Sequence, residues 1–170
     1  MTDPRLISIE QEIPRLRRYA RYLARDVEQA DDLVQECLMR AIARLDSWQP
    51  GTNLRAWLFE ILRNLFISDL RRAGRLPTDG AIEDEHPGLA VNGRQEGHLA
   101  VVELQEALDL VSEEHREVLV LVAIEGLKYE EAADVLRVPV GTVRSRLSRA
   151  RMALRDLLEG SDYHREIGPS

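Results

Sequence analysis

Little in this chain of 170 residues invites a reading as a catalyst or a membrane protein. It has a single cysteine, Cys37, so no internal disulfide can form. Aromatic residues make up 5% of the sequence and alternating β-branched runs are missing, which excludes an all-β fold. No apolar stretch is long enough, or free enough of charge, to span a bilayer. The start, Met1-Thr2-Asp3-Pro4-Arg5, has no apolar signal core, so a cytoplasmic protein is expected. His86, His98, His115 and His164 lack ligand spacing, so no metal site is expected. There is no Gly-rich phosphate loop, no nucleophile elbow and no pair of carboxylates set for acid–base work. Neither a cofactor nor a small-molecule substrate is implied, and the chain is not read as an enzyme. Lysine is almost absent too, Lys128 being the only one.

What is present is helical periodicity and segregated charge. Hydrophobic residues at 44% and charged residues at 31% fit a folded globular chain, and the formal net charge is -7. Within that acidic whole, residues 137–155 hold six arginines and no acid. Val143, Leu147, Ala150, Leu154 and Leu157 recur with helical spacing there, giving one stripe a core to face. Arg144, Ser145, Ser148, Arg149, Arg151 and Arg155 lie off that stripe. A short helix over 127–136 and the turn Arg137-Val138-Pro139 precede it. A helix with an apolar back and a basic front, behind a short helix and a turn, is the arrangement of a helix-turn-helix that reads a major groove. The plain alternative is a solvated basic face, but an acidic chain that concentrates arginine on one helix has separated its charges, and phosphate is the usual reason.

The rest divides into two helical blocks around a polar middle. A first helix is expected over Ile9–Ala24, with Pro14 in its opening turn or as a break. A second begins near Gln29, where Asp31 and Asp32 suit the positive end of the helix dipole, and reaches Leu45. Residues 26–36 hold five acids and no base. Cys37 sits on this helix's apolar face as a small core residue. After the Pro50-Gly51 breaker, a third helix over Leu54–Ala73 carries apolar residues on a wide face, leaving Arg55, Arg63, Asn64, Ser68, Arg71 and Arg72 exposed. Periodicity then disappears from Gly74 to Gly97. Residues 79–117 hold eleven acids against Arg94 and Arg116, so the segment is either a solvated tether or a strand of chain that threads another protein. A fourth helix follows over Leu99–Val111; Ser112 is the expected N-cap of the next, whose run Val118–Ala123 should be buried and which Gly126 should end.

Taken together the residues resemble an extracytoplasmic-function (ECF) sigma factor, a two-domain member of the sigma-70 family. Asp31-Asp32-Leu33-Val34-Gln35-Glu36 and Leu54-Arg55-Ala56-Trp57-Leu58-Phe59-Glu60-Ile61-Leu62-Arg63-Asn64 match the family's domain 2. Tyr129-Glu130-Glu131-Ala132-Ala133 and Val140-Gly141-Thr142-Val143-Arg144-Ser145-Arg146 match its domain 4. The resemblance runs from about Pro14 to Leu158, with both motifs in order. Gln49-Pro50-Gly51-Thr52-Asn53-Leu54-Arg55-Ala56-Trp57 and Gln95-Glu96-Gly97-His98-Leu99 further resemble the general-stress-response subgroup, which a small anti-sigma protein holds and a response regulator with a sigma-like decoy domain releases. The resemblance implies an all-α fold: a three-helix domain 2 over 1–73, a flexible acidic linker over 74–97, a four-helix domain 4 over 98–160 and a disordered tail over 161–170.

It also implies a division of labour. Asp31, Asp32, Gln35, Glu36 and Leu38 match the helix that docks on core RNA polymerase, a complex whose β and β′ subunits are the expected partners. The loop from Ser47 to Thr52 matches the one that captures a flipped base of the −10 element. Trp48 there either stacks on that base or pins the loop to the core. Asn53, Arg63, Asn64, Ser68, Arg71 and Arg72 are the other −10 candidates, with Arg63 and Asn64 open to a packing role instead. For the −35 duplex, Thr142, Arg144, Ser145 and Arg149 are the expected readers, and Arg146, Arg151 and Arg155 lean towards phosphate. Promoter DNA and an anti-sigma factor complete the expected partners. Two other readings compete: a helix-turn-helix regulator that never meets polymerase, and a sigma-mimicking decoy that sequesters an anti-sigma factor.

Overall fold

The computed structural model describes residues 1–75 and 97–166, and among these every regular element is a helix. By its contacts the chain forms two compact units, residues 1–83 with 130–138 and residues 84–129 with 139–170. The stretch 76–96, most of the expected linker, lies outside the described residues, as do 167–170.

In the first unit, α1 spans Pro4–Ala24, α2 Val27–Ala43 and α3 Leu54–Arg72. Helix α1 starts five residues before its expected Ile9 because Asp3 caps it, accepting from the Arg5 amide at 2.9 Å, and Pro4 occupies the first turn. Pro14 therefore lies mid-helix, neither in an opening turn nor at a break. It is exposed, so water can satisfy the carbonyl that its missing N–H leaves unmet. Arg25 ends α1 in the left-handed region at φ 59°. One residue later Asp26 caps α2, accepting from Glu28 at 2.8 Å and Gln29 at 3.3 Å, which moves the helix start ahead of Gln29. Helix α2 stops at Ala43, and a 3₁₀ turn over Leu45–Ser47 leads to the loop before α3.

The three helices bury Leu16, Tyr19 and Ala20 of α1 against Val34, Cys37 and Ala41 of α2 and Leu58, Phe59, Leu62 and Leu65 of α3. Tyr19 stacks on Phe59 with ring centroids 4.8 Å apart. The Cys37 thiol is within 3.5 Å of the Leu58 carbonyl, and burial pushes its pKa up to about 12, which fits a core residue and not a redox switch. Also counted with this unit is most of α6 (Tyr129–Leu136), the first helix of the helix-turn-helix.

In the second unit, α4 spans Gly97–Leu110, α5 Glu113–Leu119 and α7 Val140–Glu166. Helix α7 thus continues into residues expected to be tail. Ser112 sits at the N-cap of α5 but makes no side-chain capping bond; its carbonyl accepts from the Arg116 amide at 2.9 Å. The principal organiser is Arg116, which is 2% exposed. Its guanidinium donates to the carbonyls of Leu108, Asp109 and Val111, each at 2.8 Å, so one buried side chain satisfies three acceptors at the end of α4. Helix α5 widens into a π turn over Val120–Ile124 before Gly126, at φ 72°, ends it. Burial follows the apolar run only to Leu121; Val122 is half-buried, while Ala123 and Ile124 are exposed.

Candidate docking and nucleic-acid surfaces

Helix α2 turns Ala30, Leu33, Val34, Cys37 and Ala41 inward. The same geometry turns Asp31, Asp32, Gln35 and Glu36 to solvent, with Leu38 half-buried beside them. Glu36 pairs with Arg40 at 2.9 Å, one helical turn on. Asp31 and Asp32 have no ion pair among the described residues, so their charge is available to a partner. Two further residues on the outer surface escaped the sequence reading: Met39, 68% exposed, and Ile42, 53% exposed. The available signal was apolar character out of phase with the inward stripe. Next to this face, a groove of about 570 Å³ between α2 and the end of α3 is lined by Asp32, Glu36, Arg40, Asp69 and Arg72, among others.

The loop before α3 holds itself in shape. Thr52 donates its hydroxyl to the Gln49 carbonyl at 2.6 Å, and Gly51 supplies a φ of 90°. Trp48 is half-buried, and its indole nitrogen is buried with no hydrogen-bond partner among the described residues. That edge of the ring points inward, as a pin would. Asn53 is already engaged: its carbonyl oxygen caps α3 through Arg55 (3.0 Å) and Ala56 (3.4 Å). Its amide nitrogen donates to Glu131 at 2.9 Å within the same unit. Arg55 is not exposed as expected, because it pairs with Glu12 of α1 at 2.7 Å. Arg63 and Asn64 are half-buried, while Ser68, Arg71 and Arg72 are exposed on the last turns of α3, where Arg72 pairs with Asp69. Glu60, also on α3, has its pKa raised by burial and by Asp134, against a lowering pull from Arg137.

Helix α7 buries Val143, Leu147 and Ala150, leaving Arg144, Ser145, Ser148, Arg149, Arg151 and Arg155 exposed. Thr142 is half-buried, and its carbonyl accepts from the Ser145 hydroxyl at 3.1 Å. Arg146 differs from the other arginines: it is half-buried and lies 3.5 Å from Glu114 of α5, so it ties α7 to its own unit. A groove of about 320 Å³ gathers Arg144, Ser148, Arg151 and Arg155 with Tyr129 and Met152. The structure thus sets the expected base reader, Arg144, in line with the expected phosphate binders. Spacings of four, three and four residues put 144, 148, 151 and 155 on one face, a pattern the sequence already contained. Among the described residues, no group of three or more His, Cys, Asp or Glu could hold a metal ion.

Comparison with known proteins fits this geometry. A family model described as the sigma2 domain of PhyR matches residues 9–63, and one for sigma-70 region 4 matches residues 102–154. The ECF RNA polymerase sigma factor EcfG of Rhodopseudomonas palustris is 44% identical over 99% of this chain and 92% of its own length. The chain belongs to the ECF sigma factors. As a sigma factor it directs promoter-specific transcription initiation. SigE of Mycolicibacterium smegmatis is 40% identical over 88% of this sigma factor and 60% of its own length. Among solved structures, the sigma factor RpoE of Bartonella quintana in complex with the anti-sigma factor NepR superposes with a TM-score of 0.74 at 38% identity, covering 93% of this chain and 98% of that one. No helix among the described residues is long and apolar enough to cross a membrane.

Proposed function

We propose that this sigma factor docks on core RNA polymerase through the outer face of α2 and serves the general stress response under control of a NepR-like anti-sigma protein. The observation that carries the docking assignment is the surface of α2: Asp31 and Asp32 without ion pairs, Gln35 and Glu36 exposed, and Met39 and Ile42 continuing the surface with exposed apolar area. Charge for recognition beside apolar area for burial suits a protein partner. The loop over 48–53 and the exposed end of α3, with Ser68, Arg71 and Arg72, read the −10 element. The groove face of α7, with Arg144, Ser148, Arg151 and Arg155, takes the −35 duplex. Likeness to EcfG and to the RpoE–NepR complex supports the stress-response and anti-sigma assignments.

The other reading, a decoy that only sequesters an anti-sigma factor, is not favoured by the likeness to promoter-directing sigma factors. Such a decoy has no use for the exposed arginines of α7. Run-off transcription from a genomic library with core polymerase decides between the two. Specific transcripts that start at a common pair of promoter elements are expected; their absence, with anti-sigma binding intact, establishes the decoy.

A further inference from the structure

Helix α1 carries a surface that neither polymerase docking nor base reading uses. Residues 13–25 hold five arginines and no acid, in a chain with 30 acids and a net charge of -7. Arg15, Arg18 and Arg25 have partners within the protein. Arg17 and Arg21 do not: both are exposed, and their side chains make no hydrogen bond or ion pair among the described residues. They stand one helical turn apart on the face opposite the buried residues Ile9, Leu16 and Tyr19. Like charges at that spacing destabilise a helix, and an acid at either position would have reversed the sign of the interaction. The nearest acid on the same face, Glu10, lies seven residues before Arg17. The repulsion remains uncompensated within the unit.

The position of the pair narrows its partner. Glu12 binds Arg55 at 2.7 Å in the first turn of α3, two residues after Asn53. Arg17 follows Glu12 by about 7.5 Å along the helix axis, and Arg21 by about another 6 Å. The stripe therefore begins within two helical turns of the point where α1 meets the start of α3 and the loop before it. Helical rotation sets Arg17 and Arg21 about 140° and 180° round the axis from Glu12, so a duplex passing the outward side of α1 meets two unpaired guanidiniums.

We propose that Arg17 and Arg21 form a track for the sugar–phosphate backbone of promoter duplex flanking the −10 element. Guanidinium groups grip phosphate bidentately, and such contacts hold register without reading sequence. The proposal rests on assigning the loop over 48–53 to the −10 element, but it is tested separately. The full-length protein is assembled with core polymerase, and its affinity for a promoter fragment recovered from run-off selection is followed across a salt series. Relative to wild type, Arg17→Ala/Arg21→Ala should flatten the slope of log affinity against log salt by up to about two units, close to one per duplex phosphate. Preference among −10 variants and affinity for core polymerase should not move. Arg17→Lys/Arg21→Lys should restore most of the slope, since the point charge is kept.

An unchanged slope in the alanine variant overturns the track, and so does a changed −10 preference. A loss confined to binding of an acidic anti-sigma protein, with the promoter slope intact, also overturns it and assigns the stripe to a protein partner. Failure of Trp48→Ala and Asn53→Ala to alter −10 preference would instead strike at the loop assignment, leaving the slope measurement to judge the arginines.

Discussion

Helices α2 and α7 solve the same packing problem and differ in what they leave outside. Each buries one apolar stripe, Leu33, Val34, Cys37 and Ala41 in one and Val143, Leu147 and Ala150 in the other. Outside, α2 shows acids followed by Met39 and Ile42, whereas α7 shows arginines interleaved with serines. The first surface has apolar area to bury and charges to orient a protein. The second offers charge-assisted donors along its length, and among its residues of described burial Met152 is the one large exposed apolar side chain. Under the roles proposed for them, the difference separates a protein-docking helix from a DNA-reading one by the apolar area that accompanies the charge, as well as by its sign.

Each face rests on its own folded unit, and the largest expected effect tests that. Arg116→Met removes a buried guanidinium and leaves the carbonyls of Asp109 and Val111 without a donor, while that of Leu108 keeps the Val111 amide at 3.1 Å. At about 1–3 kcal/mol per unmet group, the second unit should lose at least about 2 kcal/mol and the −35 contacts with it. Chemical denaturation followed by hydrogen exchange should show the α1–α3 bundle still protected; equal loss in both units would remove the premise. Next in size, Asp32→Arg with Glu36→Arg should weaken core polymerase binding at least about tenfold, or about 1.4 kcal/mol, while helical content is unchanged. Unaltered binding of that variant would take the docking role from α2.

On α7 the expected effects separate reading from attraction. Arg144→Ala should relax preference among −35 sequences by about 1–3 kcal/mol, the usual worth of a bidentate base contact. Arg155→Ala should weaken all sequences alike and reduce the salt slope by about one unit. A competition assay over −35 variants at several salt concentrations measures both, and equal effects on preference would remove Arg144 as a base reader. The smallest expectation concerns the inward side of α2. With the pKa of Cys37 pushed up to about 12, its thiolate is scarce near pH 8, and iodoacetamide should leave the native protein unmodified while labelling the denatured chain. Rapid labelling of the native state would mean that α2 opens readily.

Much of this was legible in the sequence. The inward stripes of α2 and α7 follow helical spacing directly, and so did their exposed faces. Less legible were features that depend on partners distant in sequence. An arginine reads as exposed, yet Arg116 is buried because the carbonyls ending α4 converge on it, and no local pattern announces that. Arg55 and Arg146 counted as surface charge until Glu12 and Glu114 claimed them. Proline usually marks an opening turn or a break, whereas Asp3 and Pro4 start α1 early enough to carry Pro14 mid-helix. The run over 118–123 is apolar on all sides and so carries no phase, which hid both the π turn and the point where burial stops.

The only two non-glycine residues with positive φ among those described are both arginines, Arg25 after α1 and Arg137 after α6. Glycine would hold this left-handed geometry without strain, whereas an L side chain there costs about 1–2 kcal/mol. A cation at a helix C-terminus recovers about 0.3–1 kcal/mol from the dipole. These two helix ends are thus closed partly by electrostatics where a conformationally free residue is the common choice. Screening acts on only one side of that balance, so both ends should fray as ionic strength rises, and replacement by glycine should make them indifferent to salt.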